Sequence, residues 1–328
     1  MKMIHLTNGI LQATILRYGA TLQSLTVPDK NGTPTDVVLG YDTVEEYGEN
    51  DGYLGAVIGR YANRIGNSRF TLNGKLFRLD SNEGRNQLHS GASCFGHRIW
   101  DVLQQTDSSV TLELFSPDGA SGYPGNMTVQ VTYTLNGRSL EIGYRASTDA
   151  DTPCNLTNHA YFNLSGHDSG SLEGHYLRID ADAYTPVTAE NIPDGTVASV
   201  KNTPLDFTVM RAIPVSRAED GAVTAAEYDF NYILRGWDRS LRTAAEAFSS
   251  LTGIRMTVRT TSPAVQLYDA IHLSDRRGKH GVSYHPFSAF CLETQYYPDS
   301  PNHPNFPSTV ITPDTPLNEK TVFQFSAE

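Results

Sequence analysis

Cysteine, clustered basic residues and long apolar runs are all scarce in this chain of 328 residues. The three cysteines, Cys94, Cys154 and Cys291, cannot pair completely, and their spacing shows neither the C-x-x-C pattern of zinc sites nor a disulfide framework. Such sparse cysteine usage fits a reducing compartment, and we expect a cytoplasmic protein.

The shortage of basic residues argues against a nucleic-acid partner. Lysine and arginine number 25 against 36 aspartates and glutamates, the formal net charge is -11, and no basic block interrupts this balance. An acidic surface repels phosphate backbones. No window approaches the roughly 20 apolar residues of a membrane-spanning helix, and polar residues interrupt the N-terminus too early for a signal peptide. We therefore expect neither nucleic acid nor membrane as a partner.

Short alternating segments between turn signals make up most of the chain. Hydrophobic residues form 39 % of it, with 27 glycines and 17 prolines to supply turns. Apolar and polar residues alternate at 10–16, 21–27, 70–72, 110–115, 127–135, 140–147 and 176–180. Asn-Gly pairs at 31–32, 73–74 and 136–137 are typical of tight hairpins. The pattern predicts an all-β protein with large antiparallel sheets, and the absence of repeats or linkers predicts one domain over residues 1–328.

In one segment, helix propensity and the flanking turn signals predict different structures. Residues 243–248 (TAAEAF) are good helix formers, but a Ser-Ser-Leu-Thr-Gly turn and the alternating residues 254–259 follow them. We predict a hairpin here.

Two segments carry candidate acid and base groups. Residues 155–166 (NLTNHAYFNLSG) alternate as a half-buried strand would, which places His159 on the polar face. Residues 290–299 place Glu293 at the end of an apolar run, just before a proline-rich loop. A histidine in a strand is more often structural than catalytic, so context has to decide its role.

Nine motifs in a fixed order supply that context. They are LGYD at 39–42, GRYANRI at 59–65, NQLH at 86–89, SGYPG at 121–125, NLTNHAYFNLSG at 155–166, TPLDF at 203–207, YDFN at 228–231, PAVQ at 263–266 and LETQ at 292–295. In these motifs and their order, nearly the whole chain resembles the galactose mutarotase, or aldose 1-epimerase, family. The resemblance implies that family's large β-sandwich, often called a supersandwich, in agreement with the strand pattern.

The resemblance also implies a reaction and a set of residues. Interconverting the α and β anomers of a free aldose such as D-galactose or D-glucose requires one base and one acid, with no cofactor and no metal. By resemblance, Glu293 is the base at the O1 hydroxyl and His159 the acid at the ring oxygen. This mechanism requires an imidazolium at His159, kept protonated by nearby carboxylates. The sugar-binding residues implied are Arg64, His89, Asp229, Asn63 and Gln266, with Arg64 offering a planar fork to adjacent oxygens.

Alternatives remain at this stage. A hexose-6-phosphate 1-epimerase would need extra basic residues at the pocket rim, a non-catalytic carbohydrate-binding protein would have lost the acid or the base, and a glycosidase would use Glu293 with Asp229. Tyr61, Tyr161, Tyr296 and Tyr297 receive no role, because tyrosines pack in cores as readily as they stack on sugars. The preferred aldose and the oligomeric state, monomer or homodimer, are not fixed by the sequence.

Overall fold

Antiparallel strands form almost all of the regular structure. The structure is a computed structural model that describes residues 3–49, 52–217, 223–225, 227–273 and 276–328. Within these ranges there is no α-helix, only 3-10 turns at Glu46–Glu49, Gly66–Ser68, Gly91–Ser93, Phe95–His97, Ala120–Gly122, Lys279–Gly281 and Ser300–Asn302. No helix in the described part of the chain is long and apolar enough to cross a membrane. The all-β prediction is confirmed.

The largest sheet, here called the large sheet, has nine strands. In spatial order they are Asp101–Gln105, Ser109–Ser116, Met127–Asn136, Ser139–Thr148, Leu317–Ala327, Ile254–Thr260, Arg242–Ser249, His175–Ile179 and Arg211–Ala212. Buried and half-buried residues alternate strictly along Met127–Asn136 and Ile254–Thr260. Such alternation is what a strand with one face on a core and one toward water requires. The predicted hairpin over 243–259 is also confirmed, since Arg242–Ser249 pairs with Ile254–Thr260.

A five-stranded sheet, the site sheet, carries three of the predicted site residues, Asp229, Gln266 and Glu293. Its strands in spatial order are Ala198–Ser199, Ala181–Tyr184, Asp229–Leu234, Ala264–Tyr268 and Cys291–Gln295. A four-stranded sheet is formed by Met3–Thr7, Gln12–Leu16, Leu22–Pro28 and Pro34–Asp36. Side chains from all three sheets meet in one continuous hydrophobic core, for example Leu25, Val131 and Leu292. This shared core makes the molecule a β-sandwich.

Six two-stranded pairs are also present among the described residues. They are Thr152–Pro153 with Val310–Ile311, Thr157–Asn158 with Val57–Ile58, Val215–Arg217 with Val223–Ala225, Arg276–Arg277 with Ser283–Tyr284, Arg64–Ile65 with Gln87–Leu88, and Arg69–Leu72 with Lys75–Arg78. The last pair closes through Asn73 and Gly74, both at positive φ (51° and 74°), the geometry that favours Asn-Gly in a two-residue hairpin.

Candidate active site

The register of the site sheet arranges functional residues in rows. Residues directly opposite each other on neighbouring antiparallel strands point to the same face. The rows across three strands are Asp229, Tyr268 and Cys291, then Asn231, Gln266 and Glu293. The intervening residues, such as Tyr232, Leu267 and Leu292, point into the hydrophobic core. One face of this sheet therefore stabilises the fold while the other presents polar groups.

His159 reaches this polar face from the neighbouring pair of strands. It follows Thr157–Asn158, its backbone N–H donates to the Ala56 carbonyl (2.8 Å), and its own carbonyl accepts from Gly55 (2.9 Å). Its Nε2 atom lies 3.7 Å from Oε1 of Glu293, and both side chains are buried. The predicted acid and base are thus neighbours.

The half-buried strand predicted over 155–166 is wrong in its extent and its exposure. Only Thr157–Asn158 is a strand, and every residue from 155 to 164 is buried. The apolar residues of this segment face the hydrophobic core, and the polar residues face a buried polar region. A sequence pattern cannot distinguish such a buried polar region from water.

Two hydrogen bonds join Asn63 and His89. The Asn63 N–H donates to Nδ1 of His89 (3.1 Å), and the His89 N–H donates to the Asn63 carbonyl (3.0 Å). Both residues adopt positive φ, 65° and 52°. Left-handed backbone at a non-glycine residue is uncommon and concentrates at functional sites. Because Nδ1 accepts a hydrogen bond, a neutral His89 carries its proton on Nε2.

These residues surround a cavity of about 310 Å³. Six of the seven predicted site residues line it: Asn63, Arg64, His89, His159, Asp229 and Glu293. Gln266 does not line the cavity. Its Nε2 donates to Oδ1 of Asp229 (2.7 Å), which places it behind that carboxylate. Among the described residues, no group of three or more histidines, cysteines, aspartates and glutamates is arranged to hold a metal ion.

Sequence analysis missed several residues of the cavity wall. They are Tyr53, Glu83, Tyr161, Tyr268, His272 and Arg276. Tyr161 stacks on the His159 ring at 5.0 Å between centroids and donates its hydroxyl proton to the Gly52 carbonyl (2.7 Å). Tyr61 instead donates to the Tyr297 carbonyl (3.1 Å), away from the cavity. The only sequence signal for a role of Tyr161 was its position two residues after His159.

The Arg64 guanidinium is held by carboxylates. Its Nε and Nη2 donate to the two oxygens of Glu83 (2.6 and 2.8 Å), and its Nη1 lies 3.5 Å from Oδ2 of Asp229. Glu83 therefore occupies the two guanidinium nitrogens of Arg64 that were expected to bind adjacent sugar oxygens. Burial acts to lower the pKa of Arg64, but the Glu83 hydrogen bonds and the charge of Asp229 outweigh it and raise that pKa. Among the guanidinium nitrogens, Nη1 is the one without a hydrogen bond to Glu83.

The protonation of the buried pair differs from the expectation. Burial lowers the pKa of His159 to about 4. Burial raises the pKa of Glu293 well above its usual range, and repulsion from Asp229 adds to this more than Arg64 offsets it. The protein's own groups therefore favour a neutral imidazole beside a protonated carboxyl. Nearby carboxylates do not hold His159 as an imidazolium, because desolvation disfavours both charges.

His89 is also neutral. Burial lowers its pKa well below the usual range, and the charge of His159, whenever that ring is protonated, and the charge of Arg64 act in the same direction. A neutral ring with its proton on Nε2 is a hydrogen-bond donor of fixed direction.

Known proteins are similar to this chain over nearly its whole length. The profile of the aldose 1-epimerase family matches residues 2–324. The chain is 38 % identical over 328 residues to a galactose mutarotase from Bos taurus, covering 99 % of this chain and 94 % of the relative. It is 36 % identical over 325 residues to an aldose 1-epimerase from Escherichia coli (strain K12), covering 98 % and 94 %. An aldose epimerase homologue from C. elegans has a similar structure, with a TM-score of 0.91, 32 % identity and 99 % coverage of both chains.

Proposed function

This chain belongs to the aldose 1-epimerase family, an isomerase family acting on monosaccharides, and from that premise we propose that it interconverts the anomers of D-galactose and D-glucose. The names of its relatives support galactose. A cavity of about 310 Å³ supports a single sugar unit, since small-molecule sites begin at about 300 Å³.

We propose that Glu293 is the base and His159 the acid. Glu293 removes the proton of the anomeric O1 hydroxyl while Nε2 of His159 protonates the ring oxygen, so that the bond from C1 to the ring oxygen breaks and an aldehyde forms. Rotation about the C1–C2 bond and ring closure with the roles reversed yield the other anomer. The 3.7 Å between Nε2 and Oε1 carries this assignment, because it places both groups within reach of two oxygens on one carbon.

The neutral resting pair fits this mechanism by proton count. A protonated Glu293 beside a neutral His159 holds two protons in all, the same number as a carboxylate beside an imidazolium, so the two states differ only by a proton transfer within the pair. Oε2 of Glu293 has no hydrogen-bond donor within the described residues. A sugar hydroxyl would supply one, and hydrogen bonds to a carboxylate favour its charged form. We propose that sugar binding moves the proton from Glu293 to Nε2 of His159 and creates the reactive pair.

The binding roles follow from the contacts. We propose that His89 donates from Nε2 to a sugar oxygen, that Asp229 accepts from sugar hydroxyls, and that Arg64 contributes Nη1. Gln266 orients Asp229 through its hydrogen bond. The Asn63 N–H donates to Nδ1 of His89, so we propose that Asn63 contributes to sugar binding mainly by orienting the His89 ring.

A hexose 6-phosphate is the second candidate substrate. Arg276 and His272 line the cavity and would favour an anionic sugar. Against them stand three carboxyl groups, Glu83, Asp229 and Glu293. Glu83 and Asp229 already pair with Arg64 and offset its charge, which favours a neutral sugar.

We further propose a cytoplasmic location and no nucleic-acid partner. All three cysteines are buried and unpaired, which is compatible with a reducing compartment. The net charge of -11 disfavours phosphate backbones.

Polarimetry tests the proposed function. Freshly dissolved α-D-galactose, α-D-glucose and glucose 6-phosphate are each followed with wild type, Glu293→Gln and His159→Asn. We expect faster approach to the equilibrium rotation for the free sugars, and a loss of about 10²–10⁴ in kcat in either variant. Normal turnover in one variant would reject the role given to that residue. Acceleration with the phosphate ester alone would reject free aldoses as substrates.

A further inference from the structure

The second nitrogen of His159 faces a thiol. Its Nδ1 lies 3.6 Å from Sγ of Cys291, and Cys291 is fully buried. Cys291 stands two residues before Glu293 on the same strand, so both side chains point to the polar face of the site sheet. One strand therefore contacts the imidazole at both nitrogens, with Glu293 at Nε2 and Cys291 at Nδ1.

Apart from a hydrogen bond with its own backbone, which acts to raise its pKa, the His159 ring is surrounded mainly by other rings. Tyr161 and Tyr53 stack on its faces, at 5.0 and 6.2 Å between centroids, while His89 and Tyr268 meet it edge-on at 5.5 and 6.1 Å. Among the charged groups of the cavity, Arg64 pairs with both Asp229 and Glu83. Within the described residues, the carboxylate contact of His159 is made at Nε2.

We propose that Cys291 is a positioning residue for His159. Its sulfur accepts a hydrogen bond from the Nδ1–H group, which leaves Nε2 as the nitrogen that exchanges protons with Glu293 and the sugar. This role rests on the proposed function of His159 as the acid. In the neutral pair, the protonated Glu293 faces the Nε2 lone pair, so the ring proton is on Nδ1. In the imidazolium, Nδ1 keeps that proton and Nε2 gains the one to be transferred.

A thiol suits this position because it is a weak acceptor. A carboxylate at Nδ1, as in the Ser-His-Asp arrangement, stabilises the imidazolium. A hydrogen bond to sulfur still orients the Nδ1–H group, but it stabilises the positive charge of the imidazolium much less. Burial also raises the pKa of Cys291 well above its usual range, so the group remains an uncharged thiol. His159 is thereby oriented while it stays a strong acid once protonated.

The test combines nitrogen NMR with kinetics. Protein labelled with ¹⁵N-histidine, assigned with His159→Asn, reports which ring nitrogen is protonated. Cys291→Ala removes the acceptor, and Cys291→Ser replaces it with a stronger one of similar size. Cys154→Ala, at another buried free cysteine, is the matched control.

We expect wild-type His159 to be protonated on Nδ1 and to gain the Nε2-protonated form in Cys291→Ala. In that variant kcat should fall about tenfold, part of the contribution of a general acid, with KM little changed. Cys291→Ser should keep kcat within about threefold and shift the histidine limb of the pH profile upward, since a hydroxyl accepts more strongly. The control should match wild type in both measurements.

Two results would overturn the proposal. One is a wild-type His159 protonated on Nε2. The other is a Cys291→Ala protein with an unchanged histidine spectrum and an unchanged pH profile. If Cys291→Ala does not fold, the direction of the pH shift in Cys291→Ser decides. Normal turnover in His159→Asn would reject His159 as the acid separately, whatever its tautomer.

Discussion

Two pairs of opposite ionisable groups, one with a buried ammonium and a half-buried carboxylate and one buried throughout, show how differently one fold treats charge. The Lys279 ammonium is 2 % exposed and donates to Asp36 (2.5 Å), to the Val38 carbonyl (2.7 Å) and to the Gln23 carbonyl (3.1 Å). His159 and Glu293 are as deeply buried, yet they lie 3.7 Å apart. Every donor of Lys279 is used, whereas Oε2 of Glu293 meets no donor within the described part of the chain.

This difference separates a structural pair from a reactive one. A buried charge is tolerated when hydrogen bonds replace its hydration, as they do around Lys279. Oε2 of Glu293 has no such hydrogen bond in the described part of the chain, so the charged form is disfavoured and the carboxyl keeps its proton. Under the mechanism that we propose, substrate hydroxyls supply the missing hydrogen bonds and change the protonation of this carboxyl.

The largest effect is expected on breaking the satisfied pair. Lys279→Met should lower the free energy of unfolding by about 3–5 kcal/mol, because Asp36 and two carbonyl groups lose their buried donor. Urea unfolding measures the change. Lys201→Met, at an exposed lysine, is the control and should stay within about 0.5 kcal/mol of wild type. Equal stability of the two variants would show that the Lys279 pair is not structural.

Replacing the ionisable carboxyl of the unsatisfied pair should act in the opposite direction. Glu293→Gln should lower kcat by about 10²–10⁴ and yet raise the free energy of unfolding at pH 8 by about 1–2 kcal/mol. The carboxyl has a raised pKa in the folded protein, so above the ordinary value of 4.5 the unfolded chain releases a proton that the folded state retains, and rising pH favours unfolding. Near pH 4 the variant and wild type should be equally stable. A variant less stable than wild type at pH 8 would contradict this.

A smaller gain is expected at Asp269, a third buried carboxyl. Burial raises its pKa to about 7, the Tyr228 N–H opposing and the charge of Asp229 adding to the shift. Its stability cost begins above the ordinary value of 3.8 and is complete above about pH 7. Asp269→Asn should therefore gain about 1 kcal/mol at pH 8 and nothing near pH 4. Thermal unfolding at the two pH values would detect this, and a gain that is independent of pH would contradict it.

Sequence pattern predicted the large sheet well. Strands such as Met127–Asn136 have one face on the core, and hydrophobic alternation reports that geometry directly. The hairpin ending in Ile254–Thr260 was also predictable, because its turn residues outweigh the helix propensity of the segment before it.

The candidate site was predictable only through motifs. Glu293 lies in Cys291–Gln295, a strand buried on both faces, so no alternation marks it. Glu83 and Tyr53 come from loops distant in sequence from Arg64 and His159, and no local pattern joins them. The protonation of His159 depends on the burial of its surroundings, which a sequence does not give.

The rows of the site sheet also tie activity to correct folding. A slip of one residue between neighbouring strands exchanges their faces, so Glu293 would turn into the core and Leu292 into the cavity. Molecules with such a slip could retain most of their sheet content and look folded by circular dichroism. Specific activity would then report the fraction of a preparation in correct register, which makes turnover a sensitive assay of refolding yield.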